Sequence, residues 1–300
     1  MYFPIADVTI SPVLLMSVGF LVGILGGFFG VGGGFLAAPM MFWSGVPINF
    51  LVGTDLVHMT GKSLVAARRH RTLGHVDFRL GLLMIVGTVI GVEIGAQIIE
   101  RLQDSGVIDV TIGLTYIVIL VIISLFTAWE SIRAIQMVRT DQIDVNEAVG
   151  FEGLARRIQA VNIPPMVSFP TSGIESISLW MILGVGLVTG LLAGALGVGG
   201  GFIRMPMLVY VLGVPTHVAV GTDLFEIVFS SGYGTITHAL KGNVDILMAL
   251  VMQTGAAIGA QIGATATRFF AGPRIRLAFS FLPLVGAVLV ILRLMGITGV

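Results

Sequence analysis

The chain has 300 residues, of which 56% are hydrophobic and 11% charged, with 16 basic and 16 acidic side chains and no cysteine. Soluble domains carry about 25% charged residues, so this composition points to a membrane-embedded chain. The balanced charge gives no global field for nucleic acid, and the missing cysteine excludes disulfides, thiolate metal sites and a persulfide relay.

The first residues, MYFPIADVTISP, lack a basic n-region and a cleavage site, so the first apolar run is expected to be a retained span. Residues 12 to 54 contain no charge. They predict a span over 13–29, a helix over 35–45, an interruption at Gly45-Val46-Pro47 and a further helix over 50–68. Between the first two stands Gly30-Val31-Gly32-Gly33-Gly34-Phe35, followed by Pro39. Each glycine in a helix interior costs roughly 1 kcal/mol relative to alanine, so this stretch breaks the helix. Irregular backbone at membrane depth is tolerated only where it is buried in protein or lines a wet cavity.

Arg68, Arg69 and Arg71 close the third segment, and apolar runs over 80–99 and 110–129 are each long enough to cross about 30 Å of hydrocarbon. Residues 130–175 are rich in charge and proline and read as an aqueous, cytoplasmic linker. Beyond it the pattern returns, with spans over 177–196, 202–238 (interrupted at Gly213-Val214-Pro215), 246–266 and 277–294. The expected domains are a first membrane repeat, 1–129, the linker, 130–175, and a second membrane repeat, 176–300.

The repeat is visible residue by residue. Gly197-Val198-Gly199-Gly200-Gly201-Phe202, followed by Pro206, lies 167 residues (197 − 30) after its first copy. Val52-Gly53-Thr54-Asp55-Leu56 returns as Val220-Gly221-Thr222-Asp223-Leu224, a displacement of 168 (220 − 52). His70, Gly74 and Asp77 match His238, Gly242 and Asp245 at the same offset. So do Gly87, Gly91 and Gly95 with Gly255, Gly259 and Gly263, a small-residue stripe suited to close helix packing. Matched breaks in two halves are the best sequence pointer to a transporter's binding site. The fold class is therefore an all-α integral membrane protein with two homologous repeats of about four transmembrane segments, each holding Gly-broken helices. Four segments per half predict repeats of the same orientation, with both termini cytoplasmic. A half-deep broken helix makes the count odd and inverts them. Arg268, Arg274 and Arg276 fall on the wrong side in the eight-span arrangement.

Charged groups inside spans are functional candidates by default. They are Asp55, His58 and Lys62 on one face of a helix, and Arg204, Asp223 and Glu226 in the second half. Asp55 and Asp223 follow interruptions, so they either cap restarting helices or, with His58 and Glu226, carry coupling protons. Lys62 is expected to snorkel from a helix end, and His70 and His238 to be interfacial. Arg204 stands three residues past its glycine break, where the first half has Ala37. It is expected to bind an anion, with an internal ion pair to Asp223 or Glu226 as the alternative.

These features resemble the sulfite exporter TauE/SafE family of membrane permeases over nearly the whole chain: the duplicated GVGGGF, Pro39 and Pro206, the V-G-T-D pairs, and the stripes GTVIGVEIG and GAAIGAQIG. The resemblance implies secondary transport of sulfite, a sulfonate or a related small anion across the cytoplasmic (inner) membrane. The expected substrate site combines Gly32, Gly33, Gly34, Gly199, Gly200, Gly201, Thr54, Thr222 and Arg204, and its expected partners are a small anion and membrane lipid. An anion channel using the same glycines as a filter is the alternative. Neither glycine run completes G-x-G-x-x-G, Leu56 replaces the first glycine of a P-loop, and H-E-x-x-H and G-x-S-x-G are missing. No enzyme activity, cofactor, metal or nucleic acid is expected.

Overall fold

The computed structural model describes residues 1–32, 36–37, 40–41, 44, 46, 48–103, 108–141, 152–196 and 201–294. Gly33, Gly34, Gly199 and Gly200 lie outside these residues, as does most of the helix expected over 35–45. Among the described residues the fold is all-helical apart from two short hairpins.

A hairpin of β1 (Tyr2–Phe3) and β2 (Val8–Thr9) leads into α1 (Pro12–Phe29). Ser11 caps α1 by accepting from the Leu14 N–H, and Pro12 takes the first turn, where no backbone donor is needed. Gly30 ends it at φ 81°, a left-handed conformation that returns its N–H to the Gly26 carbonyl. Then follow α2 (Ile48–Thr72), α3 (Phe78–Gln103), α4 (Ile108–Asp141) and the short α5 (Glu152–Gln159). A second hairpin, β3 (Met166–Phe169) and β4 (Ile174–Ser178), leads into α6 (Leu179–Leu196), as the first led into α1. The chain continues through α7 (Gly201–Pro206), a π turn over Met207–Val211, α8 (Thr216–Leu240), α9 (Ile246–Ala266) and α10 (Gly272–Leu294).

The helices start and stop within a few residues of the expected limits, with one exception. α4 runs on past 129 to Asp141, so the boundary between first half and linker falls inside a helix. Among the described residues four helices are long and apolar enough to cross a membrane: the windows Pro12–Phe29, Phe78–Gly95, Ile117–Met137 and Ile246–Phe269. Their outward faces are apolar. On α3, Leu82, Val86, Ile90, Ile94 and Ile98 are exposed at every fourth position, and on α4 Val118, Ile122 and Leu125 are exposed as well. A continuous apolar surface of this kind is what lipid requires and water penalises.

The inward faces are built of small residues. α1 packs along α9, and α3 along α6. A Cβ at Gly19, Gly23 or Gly27 would run into the backbone of Met252, Ala256 or Ala260, and one at Gly87 or Gly91 into Leu183 or Leu187. Both pairs run parallel, since residue numbers rise together along each contact. The other large contacts, α2 with α8 and α4 with α10, also join the first half of the chain to the second.

The central α2–α8 pair runs the other way. Gly53 lies against Asn243, Leu56 against Gly234, Thr60 against Ser231, and His75 against Gly221. Repeats of the same orientation require α2 and its counterpart α8 to point in one direction; they are antiparallel. The start of α2 lies beside the end from which α1 begins, since Asp245 accepts from the Ala6 N–H and donates its own N–H to Thr54, so α2 runs in the same direction as α1.

Candidate functional site

Midway along α2 and α8 the edges of the two glycine-rich segments touch. A Cβ added at Gly201 would stand 3.0 Å from the Val31 backbone and 3.1 Å from the Ile227 side chain. Gly32, at φ 56°, faces Met59 of α2 and the same Ile227 of α8. Thr60 donates to Ser231 at 3.0 Å across the helix pair beside this point.

Buried charge surrounds it. In the second half Arg204 Nη1 donates to Asp223 Oδ1 at 2.9 Å and pairs with Glu226 Oε2, and all three side chains are buried. Arg204 Nε and Nη2, Asp223 Oδ2 and Glu226 Oε1 have no hydrogen-bond partner among the described residues. In the first half His58 Nδ1 meets Asp55 Oδ1 at 3.2 Å, and His58 Nε2 is unpartnered. Lys62 follows one turn later, 2% exposed, its Nζ also unpartnered.

Several expectations change here. Asp55 and Asp223 cap nothing: α2 begins at Ile48 and α8 at Thr216, so both aspartates lie two turns inside their helices. Lys62 does not snorkel, because α2 continues to Thr72 and leaves it near mid-helix. Arg204 makes the internal ion pair, with both proposed carboxylates at once. His70, two residues from the end of α2, is buried there and donates from Nε2 to the Gly27 carbonyl at 2.9 Å.

The capping role belongs to the other matched aspartates. Asp77 Oδ1 accepts from the Leu80 N–H at 3.1 Å, and Asp245 Oδ1 from the Met248 N–H at 2.9 Å. Each caps a helix that packs on the opposite half, and each donates its own backbone N–H to a threonine there. Asp77 gives to Thr222 Oγ1 at 2.9 Å and Asp245 to Thr54 Oγ1 at 3.0 Å. Thr54 and Thr222 thus hold the halves together through their hydroxyls, the same bond made twice at the 168-residue offset.

Two clusters escaped the sequence reading. Arg276 donates to both oxygens of Glu130, at 3.1 and 3.0 Å, and to Thr216 at 2.6 Å, while Tyr210 donates to Glu130 at 2.9 Å. Glu130 had been assigned to an aqueous linker; it is buried, because α4 carries it onto α10. A separation of 146 residues leaves no local sequence signal for such a pair. At the same end, His70, His75 and His217 stack with ring centroids 5.6 and 5.1 Å apart. Burial, and then the neighbouring His217, push the half-buried His75 in the loop after α2 down to about 4. Among the described residues no group of three metal-ligating side chains converges on one point.

Apolar outward stripes, glycine-lined helix contacts and charges buried within the bundle define a multi-pass membrane protein. Residues 15–290 match the family described as Sulfite exporter TauE/SafE, and the chain belongs to that family. It is 29% identical over 267 residues to the probable membrane transporter protein YunE of Bacillus subtilis, covering 86% of this chain and 89% of that one. It is 25% identical over 281 residues to YdhB of the same organism, also a probable membrane transporter protein, covering 93% and 99%. A probable membrane transporter protein of Methanocaldococcus jannaschii is 26% identical over 254 residues, 80% of each chain. No solved structure matches.

Proposed function

We propose that this membrane transporter is a secondary carrier of a small anion, of the sulfite, sulfonate or related organosulfur class, across the cytoplasmic membrane. The observation that carries the reading is the contact of Val31 with Gly201, where two helix-breaking segments meet inside the bundle between buried charges. Backbone N–H groups freed at such breaks, and the positive ends of helices restarting there, are suited to an oxyanion. Arg204 contributes two unpartnered nitrogens.

The buried carboxylates supply the coupling. Asp55, Asp223 and Glu226 outnumber Arg204 and Lys62, so with His58 neutral and the others ionised the interior holds one excess negative charge. An anion entering that interior is compensated when protons enter with it, onto His58, Asp223 or Glu226. A proton on Glu226 or Asp223 also frees Arg204 for the substrate.

The halves are read as inverted repeats around an axis in the membrane plane, exchanging access by rearrangement about the fixed centre. Antiparallel α2 and α8 support this. The same arrangement gathers Arg68, Arg69, Arg71, Arg156, Arg157, Arg268 and Arg274 at one end. The links are the Arg69–Thr265 bond at 2.9 Å, the donation from His217 Nε2 to the Thr267 and Phe270 carbonyls, and the Gln159–Leu212 bond. The positive-inside rule favours a cytoplasmic location for that end, and Arg268 and Arg274, misplaced in the eight-span arrangement, then fall on the expected side. The start of α1 and the end of α10 then face the other side.

The test is counterflow in proteoliposomes with labelled sulfite, sulfoacetate, thiosulfate and small carboxylates. Saturable, trans-stimulated and pH-gradient-dependent flux of one of them is expected. Non-saturating conductive flux makes the protein a channel, and no flux of any anion overturns the reading. Orientation is checked with single cysteines, Thr72→Cys and Lys241→Cys, which should react with impermeant thiol reagents from opposite sides.

A further inference from the structure

We propose that Lys62 is the side chain that receives the anion, with Arg204 held on its carboxylates until a proton arrives; this rests on the anion-carrier reading above. Lys62 lies near the midpoint of α2, 2% exposed, with no hydrogen-bond partner for Nζ among the described residues. Its Cε and the Gly32 carbonyl oxygen both lie 3.8 Å from the point where a Cβ on Gly26 would stand. The ammonium arm therefore runs beside the first glycine break, over a position where no side chain competes for space.

Its neighbours differ in being engaged. Asp55 and His58, on the same helix face, are bonded to each other at 3.2 Å. Arg204 faces two carboxylates, so that cluster repels an approaching anion while both are ionised. A buried ammonium without a hydrogen-bonded counter-ion costs several kcal/mol, and charges kept at membrane depth despite that cost are functional by default. Asp55, two turns back on the same face, attracts Lys62 but is itself bonded to His58. An ammonium is a compact charge with three rotatable donors, suited to an oxyanion that arrives in more than one orientation.

The proposal separates from a structural role by the sign of one change. Lys62→Met keeps the length of the side chain and removes a buried ammonium that has no hydrogen-bond partner among the described residues. The Tm of the purified, anion-free variant should equal or exceed that of the wild type. In the same protein, the half-saturation concentration for whichever oxyanion the wild type carries should rise at least tenfold, and the Tm shift produced by that anion should vanish. Lys62→Arg, which retains the charge, should stay within a few-fold of wild type. A lowered Tm or failed folding of Lys62→Met makes Lys62 a structural residue and overturns the proposal, as does an unchanged half-saturation concentration. If the wild type itself neither carries nor is stabilised by any of the anions, the carrier reading fails first, before any variant is made.

Discussion

The two halves of this chain carry the same aspartate on the same helix and surround it differently. Around Asp223 the second half has gathered Arg204 and Glu226 into an ion-paired cluster; around Asp55 the first half has a histidine and, one turn on, a lysine whose Nζ has no hydrogen-bond partner among the described residues. The scaffold beneath is shared down to single hydrogen bonds, as the Thr54–Asp245 and Thr222–Asp77 pairs demonstrate. The buried charge therefore differs between the halves where the hydrogen-bonded scaffold does not.

The comparison breaks most visibly at Arg204. Arg204→Ala leaves two carboxylates buried without a cation, a change expected to cost about 3–5 kcal/mol, so folded protein recovered from the membrane should fall steeply. Adding Asp223→Asn and Glu226→Gln should restore it. Recovery of Arg204→Ala alone at wild-type yield contradicts an ion-paired cluster.

The glycine contacts test the shared scaffold. Gly91→Ala drives a methyl group into the Leu187 carbonyl, and Gly259→Ala into that of Phe20. Overpacking of this kind costs about 1–3 kcal/mol, and the Tm losses of the two variants should be alike. A loss confined to one of them means that the paired interfaces are not equivalent.

Smaller again are the caps. Asp77→Ala and Asp245→Ala should each cost about 1 kcal/mol, read as matching shifts in thermal unfolding, and Asn at either position should recover most of the loss. Asp77 also accepts from Ser172, and Asp245 from the Ala6 N–H, so each ties its helix to the hairpin beside it. Removing Ser172 alone should reveal how much of that cost belongs to the hairpin.

The smallest effect sharpens a difference. Where the first half has His75 against His70 and His217, the second has Asn243. Because the folded protein depresses His75 to about 4 from the usual 6.5, unfolded chains take up the proton first as pH falls. Stability contributed by neutral His75 is thus full above pH about 6.5 and lost on the way down to about 4. His75→Asn should flatten the fall of Tm across that window. An unaltered slope assigns the whole pH response to other groups.

Much of this architecture was legible because apolar runs and Gly or Pro stops mark helix ends by local chemistry. The offset that joins Thr54 to Thr222 also joins Asp77 to Asp245, so all four residues of the crossed bonds were visible as repeats. That the bonds cross between halves was not, since periodicity says nothing about which half a helix packs on. Lys62 was misread through a helix end placed four residues too early, at Arg68 instead of Thr72. Helix direction turned on which end of α1 the start of α2 lies beside, which no residue type encodes. Glu130 and Arg276 meet only in three dimensions.

The lacing of the halves has a consequence for how the chain is made. Synthesis proceeds at about 5–20 residues per second, so roughly ten to fifty seconds separate the emergence of α1 from that of α9, on which it packs. Throughout that interval the small-residue face of α1 has no mate, and α3 likewise waits for α6. A chain cut short before α9 would therefore leave the glycine face of α1 open, where the full chain closes it with Met252, Ala256 and Ala260.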